Sequence, residues 1–201
     1  ETVTVKNADA VTIDSGALKT LKLEGTITSV TATDATVKTG ITAVDTLALN
    51  LSGVNMSGTA AIDADVKTLN VNSSTTASTL GILTAAGATT VNVSGDAALT
   101  INTLTAGPAN KVITVTNTAG VKIVTALADD VTFTGGTGAD SISIGATTKT
   151  IDLGGGDDTA TIATTTFGAG GSLNGGAGGN DTLVVSADNS NIAGLPHIVG
   201  F

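Results

Sequence analysis

The chain has 201 residues, rich in Gly, Ala, Thr and Ser, with one His, one Met and no Cys, Trp, Tyr or Arg. That inventory excludes disulfides, thiol catalysis and thiolate metal sites, and it leaves no guanidinium to clamp a phosphate or carboxylate. Eight lysines against seventeen acids give a net charge of −9, which argues against nucleic acid as a partner.

Apolar residues alternate with Thr, Ser, Asn and Asp, and no run of about 18 of them occurs, so no inserted membrane helix is expected. The first residues carry neither the basic segment nor the apolar core of a secretory signal, and they lack Met. That start reads as a fragment or a processed product.

In chain order, alternating runs occur at Val3-Thr-Val5, Leu21-Lys-Leu23, Leu47-Ala-Leu49, Leu69-Asn-Val71, Val91-Asn-Val93, Ile113-Thr-Val115, Val131-Thr-Phe133, Ile151-Asp-Leu153 and Leu183-Val-Val185. Each places β-branched, Leu or Phe residues at i and i+2 around a small, polar or β-branched residue, the signature of a half-buried strand. Gly, Asn, Asp and Ser punctuate the intervals as turn formers. The longest helix candidate, 80–88, is interrupted by Gly81 and Gly87 and is not expected to be helical.

The spacing of the runs is the stronger signal. Leu47, Leu69, Val91 and Ile113 follow one another at steps of 22 residues; Leu99 to Val121 repeats that step, Val121 to Ile142 is 21 and Ile142 to Ala160 is 18. Self-similarity near 20 residues, with two strand-like runs per unit, predicts an all-β, parallel β-solenoid. Parallel crossovers make its expected sense right-handed. An antiparallel sandwich would also show many short strands, but it calls for large aromatics between its sheets, and this chain has three Phe as its whole aromatic set. The expected organisation is one solenoid domain over 1–201: irregular coils of about 22 residues at 1–128, glycine-rich coils at 129–186 and a terminal loop at 187–201.

Residues 135–143 read Gly-Gly-Thr-Gly-Ala-Asp-Ser-Ile-Ser. They are followed eighteen residues on by Leu153-Gly-Gly-Gly-Asp-Asp-Thr-Ala-Thr161, and then by Gly175-Gly-Ala-Gly-Gly-Asn-Asp-Thr-Leu183 with one extra residue before its Asp. This resembles the RTX nonapeptide, Gly-Gly-x-Gly-x-Asp-x-U-x with U a large apolar residue, known from hemolysin-type calcium-binding repeats. The first copy matches every defined position. The second has Leu153 for the first Gly and Ala160 at the apolar position. The resemblance implies a β-helix grading into a β-roll, with Ca²⁺ between successive turns. It assigns one ion to the carboxylates of Asp140 and Asp158 and the carbonyls of Gly135, Thr137, Gly154 and Gly156. A second ion would use Asp158, Asp181, Gly176 and Gly178. Calcium chemistry agrees, since the ion takes six to eight hard oxygens and glycines leave room for carbonyls to converge. The plain alternative is a set of solvated Gly-Asp turns. Asp157 is expected to face water, and Asp129 and Asp130 to form a solvated turn.

Other features carry less. Asp63-Ala-Asp65 lacks the remaining oxygens of an EF-hand loop, His197 has no partner set for a metal, and the Asn-x-Ser/Thr triplets at Asn50, Asn55, Asn72, Asn92 and Asn180 are what a Thr- and Ser-rich chain produces by chance. No HExxH, GxSxG or Cys/His pair occurs, so no catalysis is expected within these residues. Composition and repeats together resemble bacterial S-layer proteins. That resemblance implies a structural role at the cell surface, type I secretion, calcium-driven folding outside the cell, and self-association in a lattice or stacking on flanking coils. The other functional classes are an adhesin or ice-binding solenoid, which would show Thr-x-Thr at every coil, and the calcium-binding tail of a secreted enzyme.

Overall fold

A computed structural model describes residues 1–33, 45–105, 111–162, 170–185 and 197–201. The chain is a parallel β-solenoid, and the described residues contain strands and no helix. Three long strands, β1 (Thr2–Asp14), β2 (Thr20–Thr33) and β3 (Thr46–Ile62), come first. Short ones follow in pairs: β4 (Thr68–Ser73) with β5 (Ser78–Ala85), β6 (Thr90–Gly95) with β7 (Leu99–Thr105), and β8 (Val112–Val115) with β9 (Val121–Leu127). Next come β10 (Thr132–Thr134) with β11 (Ser141–Ile144), β12 (Thr150–Asp152) with β13 (Thr159–Ile162), β14 (Ser172–Asn174) with β15 (Thr182–Val185), and β16 (Ile198–Val199).

The first segment of β3 pairs with β4 and its last segment with β5, so β3 serves both faces of the solenoid. From there the even-numbered strands β4 to β16 stack on one face and the odd-numbered strands β5 to β15 on the other. Alternation explains the elements directly. β4 reads TLNVNS with every second residue buried, and β13 reads TATI in the same way. Inward columns form where equivalent apolar residues meet winding after winding. Leu47, Leu69, Val91, Ile113, Phe133, Ile151 and Leu173 form one such column, each nearly or fully buried. Fully burying one such side chain stabilises by about 1.5–3 kcal/mol, so the narrow core is assembled winding by winding along the axis. The stretch 80–88 lies within β5 and the turn after it. A Cβ at Gly81 would run into the Ser57 carbonyl, so this strand needs glycine there to approach β3.

The 22-residue step holds through β3, β4, β6 and β8. The earlier windings differ. Val3 pairs with Leu21, eighteen residues on, while Leu21 pairs with Leu49, twenty-eight on. A second correction concerns β9: Ile142 stands beside Ile123, not Val121. Both residues point inward, so either pairing keeps the apolar side on the core. Of the terminal loop expected at 187–201, residues 187–196 lie outside the described set.

Candidate functional site

Three turns cross from the even-numbered face to the odd-numbered one at residues 135–140, 153–158 and 175–181, and they stack on one corner. Their stacking follows from the flanking ladders, in which Ser141 pairs with Thr159 and Thr159 with Thr182. Backbone bonds join the turns directly: Gly155 N–H donates to the Gly136 carbonyl and Ala177 N–H to the Gly154 carbonyl, each at 2.8 Å. Such proximity leaves no room for a side chain. A Cβ at Gly135 would strike the Leu153 carbonyl, and one at Gly176 the Gly154 carbonyl. In the first turn, glycine is required for close approach, since none of Gly135, Gly136 and Gly138 takes a left-handed conformation. In the second turn Gly154 and Gly156 do, at φ of 90° and 131°.

The aspartates of these turns form a ladder along the axis. Asp140 Oδ1 accepts Val121 N–H at 2.7 Å, Asp158 Oδ1 accepts Asp140 N–H at 2.7 Å, and Asp181 Oδ1 accepts Asp158 N–H at 2.9 Å. The backbone answers in the other direction, Thr159 N–H donating to the Asp140 carbonyl and Thr182 N–H to the Asp158 carbonyl. Higher up the same corner the acceptors are uncharged: Ser78 Oγ for Val54 N–H, the Ala98 carbonyl for Ser78 N–H and the Gly120 carbonyl for Leu99 N–H. Carboxylates thus take over a capping task that carbonyls and a hydroxyl perform elsewhere. Hydrogen bonds to a charged acceptor are about twice as strong as neutral ones.

Asp140 and Asp158 are each only 1% exposed, while Asp181 is half-buried. Burial pushes the Asp140 carboxyl up to about 6; bonds from Val121 and Gly136 pull against that, and the charge of Asp158 adds to it. Burial also raises Asp158, opposed by the Asp140 N–H and reinforced by the charges of Asp181, Asp157 and Asp152.

The two buried carboxylates differ in one respect. Asp140 Oδ2 accepts Gly136 N–H at 3.2 Å, whereas Asp158 Oδ2 is buried with no hydrogen-bond partner. The reason lies two residues before Gly154, whose N–H is already bonded to Asp152 Oδ1. The matching position in the previous winding is Thr134, and Gly136 N–H turns instead to Asp140. Asp158 Oδ2 is therefore a desolvated anionic oxygen with no donor, which costs several kcal/mol unless a cation or proton meets it.

Of the residues read from the sequence, Gly135, Asp140, Gly154, Gly156, Asp158, Gly176 and Asp181 come together at this corner, and Thr137 lies on its exposed rim. Gly178 stands apart. A Cβ there would meet nothing within 4 Å, and Gly179 is the glycine seated against the Gly156 carbonyl. The extra residue of the third copy is therefore absorbed by a bulge at Gly178. Asp157 is exposed, as expected, and caps Asn180 N–H at 2.8 Å. Among the described residues no three His, Cys, Asp or Glu side chains gather as metal ligands would, so a cation here would draw on carbonyl oxygens. The Gly135 carbonyl oxygen lies against Gly154 of the next turn and the Gly138 carbonyl oxygen against Gly156.

Sequence reasoning missed the rest of the polar corner. Ser73, Ser78 and Asn117 are buried along it, and Asn117 ties the Ser94 and Ala97 carbonyls to Ala119 N–H. The Asn117-Thr-Ala-Gly120 stretch, placed one winding before the first glycine motif, was the available signal. It also missed Lys111, whose Nζ is buried without a hydrogen-bond partner at the opposite corner and whose burial lowers its pKa against the pull of Asp130. No known protein family matches the chain, and no characterised protein does either.

Proposed function

We propose that this chain is a non-enzymatic structural segment of a secreted bacterial surface-layer protein, its later windings stabilised by calcium at the aspartate corner. The observation that supports the cation site is Asp158 Oδ2, an orphaned buried carboxylate oxygen between two further carboxylates of the same ladder, and the surface-layer role rests on the resemblance in composition and repeats. Asp158 would hold the ion with Asp140 or Asp181, completed by carbonyls of Gly135, Thr137, Gly154 and Gly156 for the first pair of turns and Gly176 for the second. Bound calcium supplies the positive charge that offsets repulsion between stacked carboxylates. Calcium is scarce in the cytosol and abundant outside, so affinity for the ion becomes folding free energy only after export. A fold built of stacked windings suits a surface lattice, in which flanking coils or neighbouring molecules cover the ends.

The ice-binding reading expects Thr-x-Thr on every winding. One outward column carries Thr46, Thr68, Thr90, Thr132 and Thr150 but is broken by Val112, and its neighbour carries Thr114 and Thr134 among Ala48, Asn70, Asn92 and Asp152. That mixed face favours the structural reading.

The test is a calcium titration by calorimetry, with thermal melts, on the parent chain and on the Asp140→Ala/Asp158→Ala variant. Saturable binding that raises the melting temperature of the parent alone supports the proposal. Melts of the parent that do not change on chelation would falsify it.

A further inference from the structure

The outer side of the even-numbered face carries a concavity of about 230 Å³, several windings from the aspartates, lined by Lys22, Glu24, Asn50, Ser52, Asn72 and Ser74 over the buried Leu23 and Leu51. Its location follows from register: Lys22 pairs with Asn50, Asn50 with Asn72, and Glu24 with Ser52, so polar side chains from three adjacent windings face outward together. Just beyond them the chain turns the corner at Gly25 and Gly53, both in the left-handed region.

Elsewhere on this face the polar side chains bond to one another. Asn92 Nδ2 donates to Asn70 Oδ1 at 2.8 Å, and Asn72 Nδ2 donates to Ser94 Oγ at 3.1 Å. The ladder stops at Asn50. Although Asn50 is the register partner of Asn72, the two amides are not bonded, and the side chains of Lys22, Ser52 and Ser74 are likewise without partners among the described residues. Glu24 is held by Lys6 at 3.0 Å. That pairing leaves Lys22 as the ammonium lining the concavity, with Asp96 beyond its Ser74 end, accepting Thr75 N–H at 3.1 Å.

We propose that this concavity binds one uronic-acid unit of an acidic polysaccharide. Lys22 takes the sugar carboxylate, and the Asn50 amide with the Ser52 and Ser74 hydroxyls takes ring hydroxyls. A cavity somewhat below the roughly 300–1,000 Å³ of drug-sized sites suits a single sugar ring. No aromatic side chain lines it, so one unit binds weakly, and a polymer gains affinity only by reaching the same concavity on neighbouring copies of the chain.

The experiment is an amide-resolved NMR titration of the whole chain at one fixed calcium concentration, with D-glucuronate as the probe and D-glucose and acetate as single-group controls. The expected result is saturable shifts at residues 22–24, 50–52 and 72–74 with glucuronate, weaker shifts there with glucose and none with acetate. Lys22→Gln, at an exposed position, should weaken glucuronate about tenfold and leave glucose unchanged, whereas Asn50→Ala should weaken both. Unchanged melting temperatures show that both variants fold. Acetate acting as strongly as glucuronate, shifts scattered over the chain, or both variants titrating like the parent overturns the proposal. None of these outcomes bears on calcium at the aspartate corner.

Discussion

Acidifying the calcium-free chain should stabilise it, and calcium should reverse the sign. The Asp140 carboxyl is held at about 6, above its ordinary value of 3.8, because it is buried. An acid whose folded pKa exceeds its unfolded pKa makes the folded state the better proton binder. Its stabilising contribution is complete below about 3.8 and is lost as pH rises through about 6. Two pKa units at 1.36 kcal/mol each give about 3 kcal/mol between pH 7 and pH 4 from this residue, and the raised Asp158 acts in the same direction. For a chain of this length that corresponds to about 6–12 °C in melting temperature. With calcium bound, protons compete with the ion for the same oxygens, so acidification should lower the melting temperature. Differential scanning calorimetry at pH 7 and pH 4, on chain stripped of metal and on chain with excess calcium, gives both signs. A metal-free melting temperature that stays flat or falls on acidification refutes the reasoning, as does an Asp140→Asn variant that keeps the full slope.

Asp158→Asn keeps the Oδ1 that accepts Asp140 N–H and places an amide where the orphaned oxygen stands, so the metal-free chain should melt higher and lose its calcium-dependent increment, both read by calorimetry. Gly135→Ala drives a Cβ into the Leu153 carbonyl and should cost about 1–3 kcal/mol in urea denaturation. Gly178→Ala has open space and meets only the backbone cost of its φ of 86°, about 1–2 kcal/mol, so equal losses above that range would show the bulge to be wrongly placed. Lys111→Met replaces a buried ammonium that has no hydrogen-bond partner and should raise the melting temperature; a fall would show that Nζ holds a partner worth more than its burial costs.

The inward columns were readable before any coordinates. Leu47, Leu69, Val91 and Ile113 announce both the strand period and the winding length, because only one face of each short strand reaches the core. The stacking of Asp140 on Asp158 was legible for the same reason, eighteen residues being one winding there. The shift that sets Ile123 beside Ile142 was not legible. Val121 and Ile123 are both apolar and of the same parity, and the choice is made by a distant carboxylate, Asp140, taking Val121 N–H. The displacement of Gly178 by Gly179 has the same character: five near-identical small residues carry no local preference, and the neighbouring turn selects among them.

Amino-acid order by itself determined that this chain winds into a parallel β-solenoid and that its glycine-framed aspartates share a corner, since alternation and repeat length are local and additive. Tertiary structure alone decided what each carboxylate does. Whether an oxygen is capped or orphaned depends on which of several competing N–H groups lies nearest once the windings are in contact. At Asp158 that competition was settled by Asp152, which holds the one donor its neighbour needed.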